Sequence, residues 1–86
     1  MQNMPNPFND YTEIAFKLPK NEKVIFNVYN TLGELVNQIS GEFPAGINKI
    51  SIKAKDKSEN DLSNGTYYLQ MRAGNFTAFR KMLIIR

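Results

Sequence analysis

The sequence predicts an all-β fold, a two-sheet antiparallel β-sandwich of six to seven strands. Three observations carry this. Apolar residues alternate with polar ones at period two along most of the chain, the pattern of strands that bury one face. Clusters of Gly, Pro, Asn and Asp interrupt the alternation at spacings of about 10 to 14 residues, as a sandwich of short strands requires. No window of comparable length carries a helical stripe, so helix is limited to a single turn at most.

The elements follow in order. "MQNMPNPFND", with Pro5, Pro7 and several Asn, reads as the end of a linker leading into the domain, which sets the organisation as residues 1–10 linker and 11–86 sandwich. Ile14, Phe16 and Leu18 alternate with Glu13, Ala15 and Lys17. Val24, Phe26 and Val28 alternate with Ile25, Asn27 and Tyr29. "NTLGE" then supplies a short connection in which Gly33 takes positive φ, so Leu35 to Ile39 returns as the second arm of a hairpin. "INKISIKAK" places Ile50, Ile52 and Ala54 on one face and Lys49, Lys53 and Lys55 on the other. After the polar stretch "DKSENDLSNG", Tyr67, Leu69 and Met71 share a face of the next strand, and "AGN" turns the chain into "FTAFRKMLIIR". That makes six strands, or seven if "NPFN" adds a short one.

Composition narrows the function. The chain has 86 residues, one domain's worth, with 42% apolar and 12% aromatic residues, the balance of a folded module. It contains neither Cys nor His, which removes thiolate nucleophiles, His-dependent triads and the usual zinc sites. Glu13, Glu22, Glu34, Glu42 and Glu59 fall on turns and outward strand positions, away from any shelter that would raise a pKa; neither an enzyme nor a cofactor is expected. The net charge is +3 and the pI about 9.3, but no aromatic RNA-binding motif or groove-entering helix accompanies it, so nucleic acid is not an expected partner. No apolar run is long enough to span a membrane as a helix. The N-terminus lacks the basic and apolar segments of a secretory leader; taken alone the chain would stay in the cytoplasm, unless it is the tail of something longer.

Several constellations admit two readings. Gly65, Thr66 and Tyr67 have the spacing of a tyrosine corner, in which the hydroxyl bonds upstream backbone; alternatively Tyr67 fills the core with its hydroxyl at the rim. Asp56, Ser58, Asn60 and Asp61 crowd oxygens into one loop, but Asp61 stands where a calcium-binding hand needs its glycine and Tyr67 where it needs its bidentate Glu, so a solvated loop without metal is expected. Lys49, Lys53, Lys55 and Lys57 share one parity. Such a stripe suits acidic sugar or lipopolysaccharide phosphate, or else simply guards an edge strand against pairing.

The C-terminal strand is unusual. In "KMLIIR" both parities are apolar: Met82 and Ile84 on one, Leu83 and Ile85 on the other. A half-buried strand should alternate, so either it is covered on both sides or one face is for a partner. Met82 and Ile84 continue the parity of Phe76 and Ala78 and are assigned inward; Leu83 and Ile85 then point out.

"NPFNDYTEIAFKLP", "VIFNVYNTLGELV", "FPAG", "LSNGTYYLQMRAG" and the terminal "KMLII", in that order and covering Asn6 to Arg86, resemble the type A C-terminal sorting domain of the type IX secretion system, also called the Por secretion system. The matching positions are Pro7, Phe8 and Asn9, Leu18 and Pro19, Tyr29, Asn30 and Gly33, Ala45 and Gly46, Gly65 and Tyr67, Gly74, and Lys81 with Met82. The charged loop "KAKDKSENDLSNG" is longer than the family's usual one.

The resemblance implies an immunoglobulin-like sandwich acting as a signal. It makes the chain the tail of a larger cargo protein that passes through the periplasm of a Gram-negative bacterium. The outer-membrane translocon then takes the cargo to the outer membrane, the cell surface or the medium. A sortase-like cysteine protease would remove the domain and attach the cargo to lipopolysaccharide. Recognition by the translocon is expected at Lys81, Met82, Leu83, Ile85 and Arg86, with Lys49, Lys53, Lys55 and Lys57 as a candidate contact to an anionic surface. The alternative is an immunoglobulin-like accessory or carbohydrate-binding module of a surface protein.

Overall fold

A computed structural model describes residues 2–4 and 7–86. Met1, Pro5 and Asn6 lie outside the described residues, and with them those parts of the linker reading. The described residues form seven strands: β1 (Gln2–Met4), β2 (Tyr11–Leu18), β3 (Glu22–Tyr29), β4 (Leu35–Phe43), β5 (Gly46–Lys53), β6 (Gly65–Ala73) and β7 (Phe76–Ile84). They form a three-stranded sheet in the order β1-β2-β5 and a four-stranded sheet in the order β4-β3-β6-β7, every named pair antiparallel. No helix occurs among the described residues. Among the described residues the short seventh strand is at Gln2–Met4, and Pro7 to Asn9 of "NPFN" lie outside any named strand. Phe8 makes an isolated parallel bridge to Ile84, and Pro7 beside it has no N–H with which to extend a ladder.

The alternation read from the sequence is the division between core and surface. Ile14, Phe16, Leu18, Ile52 and Ala54 face Val24, Phe26, Val28, Tyr67, Leu69, Met71, Met82 and Ile84 across the sandwich, all buried. Phe16, Phe26 and Phe43 meet edge to face, with centroids 5.1 to 6.4 Å apart, the arrangement that aromatic quadrupoles favour.

Turn chemistry explains several of the family positions. In the β3–β4 hairpin, Asn30 Oδ1 accepts the N–H groups of Leu32 and Glu34 at 2.9 and 3.0 Å, and the Gly33 N–H reaches the Asn30 carbonyl at 3.1 Å. Gly33 has φ 80°, a conformation costly to a residue with a Cβ. At the crossing from β4 to β5, Asn21 Oδ1 accepts the Ala45 N–H at 2.8 Å. Gly74, with φ 58°, takes the first central position of the two-residue β6–β7 hairpin, where a primed turn needs positive φ.

Candidate interaction surface

The sheet order makes β7 an edge strand. Its inward residues Met82 and Ile84 lie opposite Tyr67 and Gly65 and are buried. Met82 is therefore core, which corrects its inclusion among surface recognition residues: an inward side chain at 1% exposure is closed to a partner. On the outer face, Lys81 is exposed, Leu83 half-buried and Ile85 52% exposed. Phe76 shares the inward parity but is 58% exposed: it begins the strand at the β6–β7 turn, at the opposite end from Leu83 and Ile85, where Phe8 bonds.

The outer edge of β7 is covered at one end. Phe8 donates its N–H to the Leu83 carbonyl at 3.0 Å and accepts from the Ile85 N–H at 2.9 Å. Arg86 goes further. Its guanidinium donates to the Leu62 carbonyl and, at 2.9 Å, to the Ala54 carbonyl; its backbone N–H donates to Asn64 Oδ1 at 3.1 Å. Asp61 lies 3.8 Å from the same guanidinium. The last residue is thus a clasp between β7 and the loop 54–64, a role that sequence reasoning missed because the carbonyls it holds lie more than twenty positions upstream.

That loop is closed by its own polar groups. Tyr67, buried, donates its hydroxyl hydrogen to the Ser63 carbonyl at 2.8 Å, the upstream bond of a tyrosine corner. Asp56 Oδ1 accepts the N–H groups of Ser58 and Asn60 at 2.8 and 3.0 Å, and Glu59 takes φ 64°. The Asn60 N–H bond, aided by that of Ser58, holds the Asp56 carboxyl below its ordinary pKa of 3.8. Lys55 Nζ donates to Asp61 at 2.7 Å. This bond and the accompanying attraction raise the Lys55 pKa and lower that of Asp61.

The proposed lysine stripe divides. β5 ends at Lys53, so Lys49 and Lys53 stand exposed on the strand. Lys55 pairs with Asp61, and Lys57 lies on the loop, its N–H reaching the Val36 carbonyl of β4 at 3.1 Å. Shared parity did not survive the end of the strand. Among the described residues no group of three or more Asp or Glu side chains is placed to hold a metal.

On the outer face of the four-stranded sheet, Gln38 Nε2 donates to Asn27 Oδ1 at 2.7 Å and Asn27 Nδ2 to Gln70 Oε1 at 2.9 Å, an amide ladder across β4, β3 and β6. The Tyr29 hydroxyl adds a 3.3 Å bond to Gln70. Beside this ladder, toward β7, stand Tyr68 and Phe79, 41% and 61% exposed.

The fold and this edge define an immunoglobulin-like β-sandwich that presents an apolar terminal strand. The chain matches the family described as secretion system C-terminal sorting domain over residues 4–86, and it belongs to that family, the sorting domains of the type IX system. No curated protein matches it. Among solved structures it resembles dimeric latent PorU from Porphyromonas gingivalis, with TM-score 0.80 and 18% identity over 98% of this chain and 9% of that one. It also resembles FLGD from P. aeruginosa, with TM-score 0.68 and 28% identity over 87% of this chain and 61% of that one. The chain therefore spans less than two thirds of either. As a sorting domain it is a C-terminal signal for type IX secretion across the outer membrane.

Proposed function

We propose that this domain hands its cargo to the outer-membrane translocon through β7, with Lys81, Leu83 and Ile85 as contacts. A sortase-like cysteine protease then separates domain from cargo and joins the cargo to lipopolysaccharide at the cell surface. The cargo is joined through the segment 1–10, whose Phe8 is anchored in the core, to the sandwich of 11–86. The observation that carries this reading is the separation of parities on β7: Met82 and Ile84 complete the core while Leu83 and Ile85 face outward on an edge strand. Arg86 supports the surface from behind, since its side chain is committed to the Ala54 and Leu62 carbonyls.

The test is a periplasmic fluorescent protein fused ahead of this chain in a host that has the secretion system. Reporter at the surface or in the medium, dependent on the translocon, is expected; reporter held in the periplasm would sink the reading.

A further inference from the structure

Charge is distributed unevenly between the two parts of the chain. Of its 11 lysines and arginines and 8 carboxylates, residues 65–86 hold Arg72, Arg80, Lys81 and Arg86 and no carboxylate, which leaves seven cations against eight carboxylates elsewhere. The whole positive surplus therefore sits on the β6–β7 hairpin. Arg86 is turned to the loop 54–64, but Arg72, Arg80 and Lys81 are exposed. Cross-strand register puts Arg72 opposite Thr77, Gln70 opposite Phe79 and Tyr68 opposite Lys81, so cations frame the exposed Tyr68 and Phe79 on one face.

The backbone edge of the same strand is met at one end. Leu83 and Ile85 direct their polar backbone groups to the outer edge, where Phe8 meets them. By the two-residue repeat, Thr77 and Phe79 direct theirs the same way. Among the described residues no strand pairs with β7 on that side, and Phe8 meets it only at Leu83 and Ile85. An edge of this kind accepts an added strand. Its charge selects which strand, since like charges repel the wrong partner and opposite ones steer the right one.

We infer that the β6–β7 hairpin docks an extended, acidic segment of its partner, added as a strand along the edge at Thr77 and Phe79, with partner carboxylates against Arg72 and Lys81 and apolar partner side chains on Tyr68 and Phe79. This rests on the sorting function proposed above and specifies the chemistry of the surface that reads the signal.

The experiment compares reporter fusions carrying R72E/K81E, K17E/K20E and Thr77→Pro with the parent, each checked for folding by circular dichroism. Lys17 and Lys20 are exposed on β2 of the other sheet and its turn, beside Phe76 and not on the face that carries Tyr68 and Phe79, so the two double variants change net charge equally. R72E/K81E is expected to stay folded and lose about tenfold or more in exported reporter, as repelled interface charges would, while K17E/K20E stays close to the parent. Thr77→Pro removes an outward N–H, leaves the β6 ladder intact and should fold; it is expected to lose export as well. Equal export of both double variants, or equal loss, would overturn the inference. Thr77→Pro exported as well as the parent would overturn strand addition. A parent fusion that is itself retained would defeat the sorting reading instead.

Discussion

Replacing Arg86 by Met keeps an unbranched chain and removes the guanidinium. The Ala54 carbonyl would still accept the Leu62 N–H at 3.0 Å, whereas the Leu62 carbonyl would lose its guanidinium donor. Hydrogen bonds from a charged donor contribute roughly 1.5–3 kcal/mol each when sheltered. The Arg86 side chain is 30% exposed and water can replace part of what is lost, so the pair together should be worth about 2 kcal/mol. The 3.8 Å approach of exposed Asp61 adds little. For a domain of this size each kcal/mol moves the melting temperature by about 4–8 °C, which predicts a fall of roughly 8–16 °C. Thermal and urea unfolding followed by circular dichroism measure it. A change below about 2 °C would refute the clasp, because so small a shift leaves well under 1 kcal/mol for the two bonds.

Tyr67→Phe leaves packing in place and removes the bond to the Ser63 carbonyl; urea unfolding should show a loss of about 1–1.5 kcal/mol, and no loss would mean that the corner is held by packing alone. Ile84→Glu puts a carboxylate at a fully buried site, where several kcal/mol of desolvation meet a total stability of only about 4–13 kcal/mol for a chain this long; an unfolded far-ultraviolet spectrum is expected, and a native one would contradict the inward assignment. Because the Asp56 carboxyl titrates below 3.8 in the folded state, its contribution is fully present above that pH and fades as the pH falls through the lowered value. Asp56→Asn should therefore flatten the acid side of a plot of melting temperature against pH, and parallel acid limbs would show that the loop bonds do not depend on its charge.

The strands were legible because each buries one face: Ile14, Phe16 and Leu18, or Tyr67, Leu69 and Met71, show their period without knowledge of any neighbour. Gly33 and Gly74 were legible for the same local reason, since a turn imposes its demand on its own residues. What could not be read is what depends on distant chain segments. Phe76 has inward parity yet lies exposed, because coverage depends on which distant segments reach its end of the strand, and Phe8 reaches the other end. The lysine stripe assumed that β5 continues past Lys53. The ladder from Gln38 through Asn27 to Gln70 needs the β4-β3-β6 register, and the Arg86 clasp needs the position of Ala54 and Leu62. Of the candidate surface, the outward parity of Leu83 and Ile85 was visible in "KMLIIR"; the edge position that exposes it was not.

The most direct test of the account is export of a reporter fused to the Leu83→Glu domain, measured alongside its circular dichroism. Leu83 is half-buried on the outer face of an edge strand, outside the core, so the variant should keep the sandwich. Removing an apolar contact that a partner would bury, roughly 1.5–3 kcal/mol for a leucine, should hold the reporter in the periplasm. A folded Leu83→Glu domain exported as fully as the parent would contradict the claim that β7 is the surface by which the signal is read.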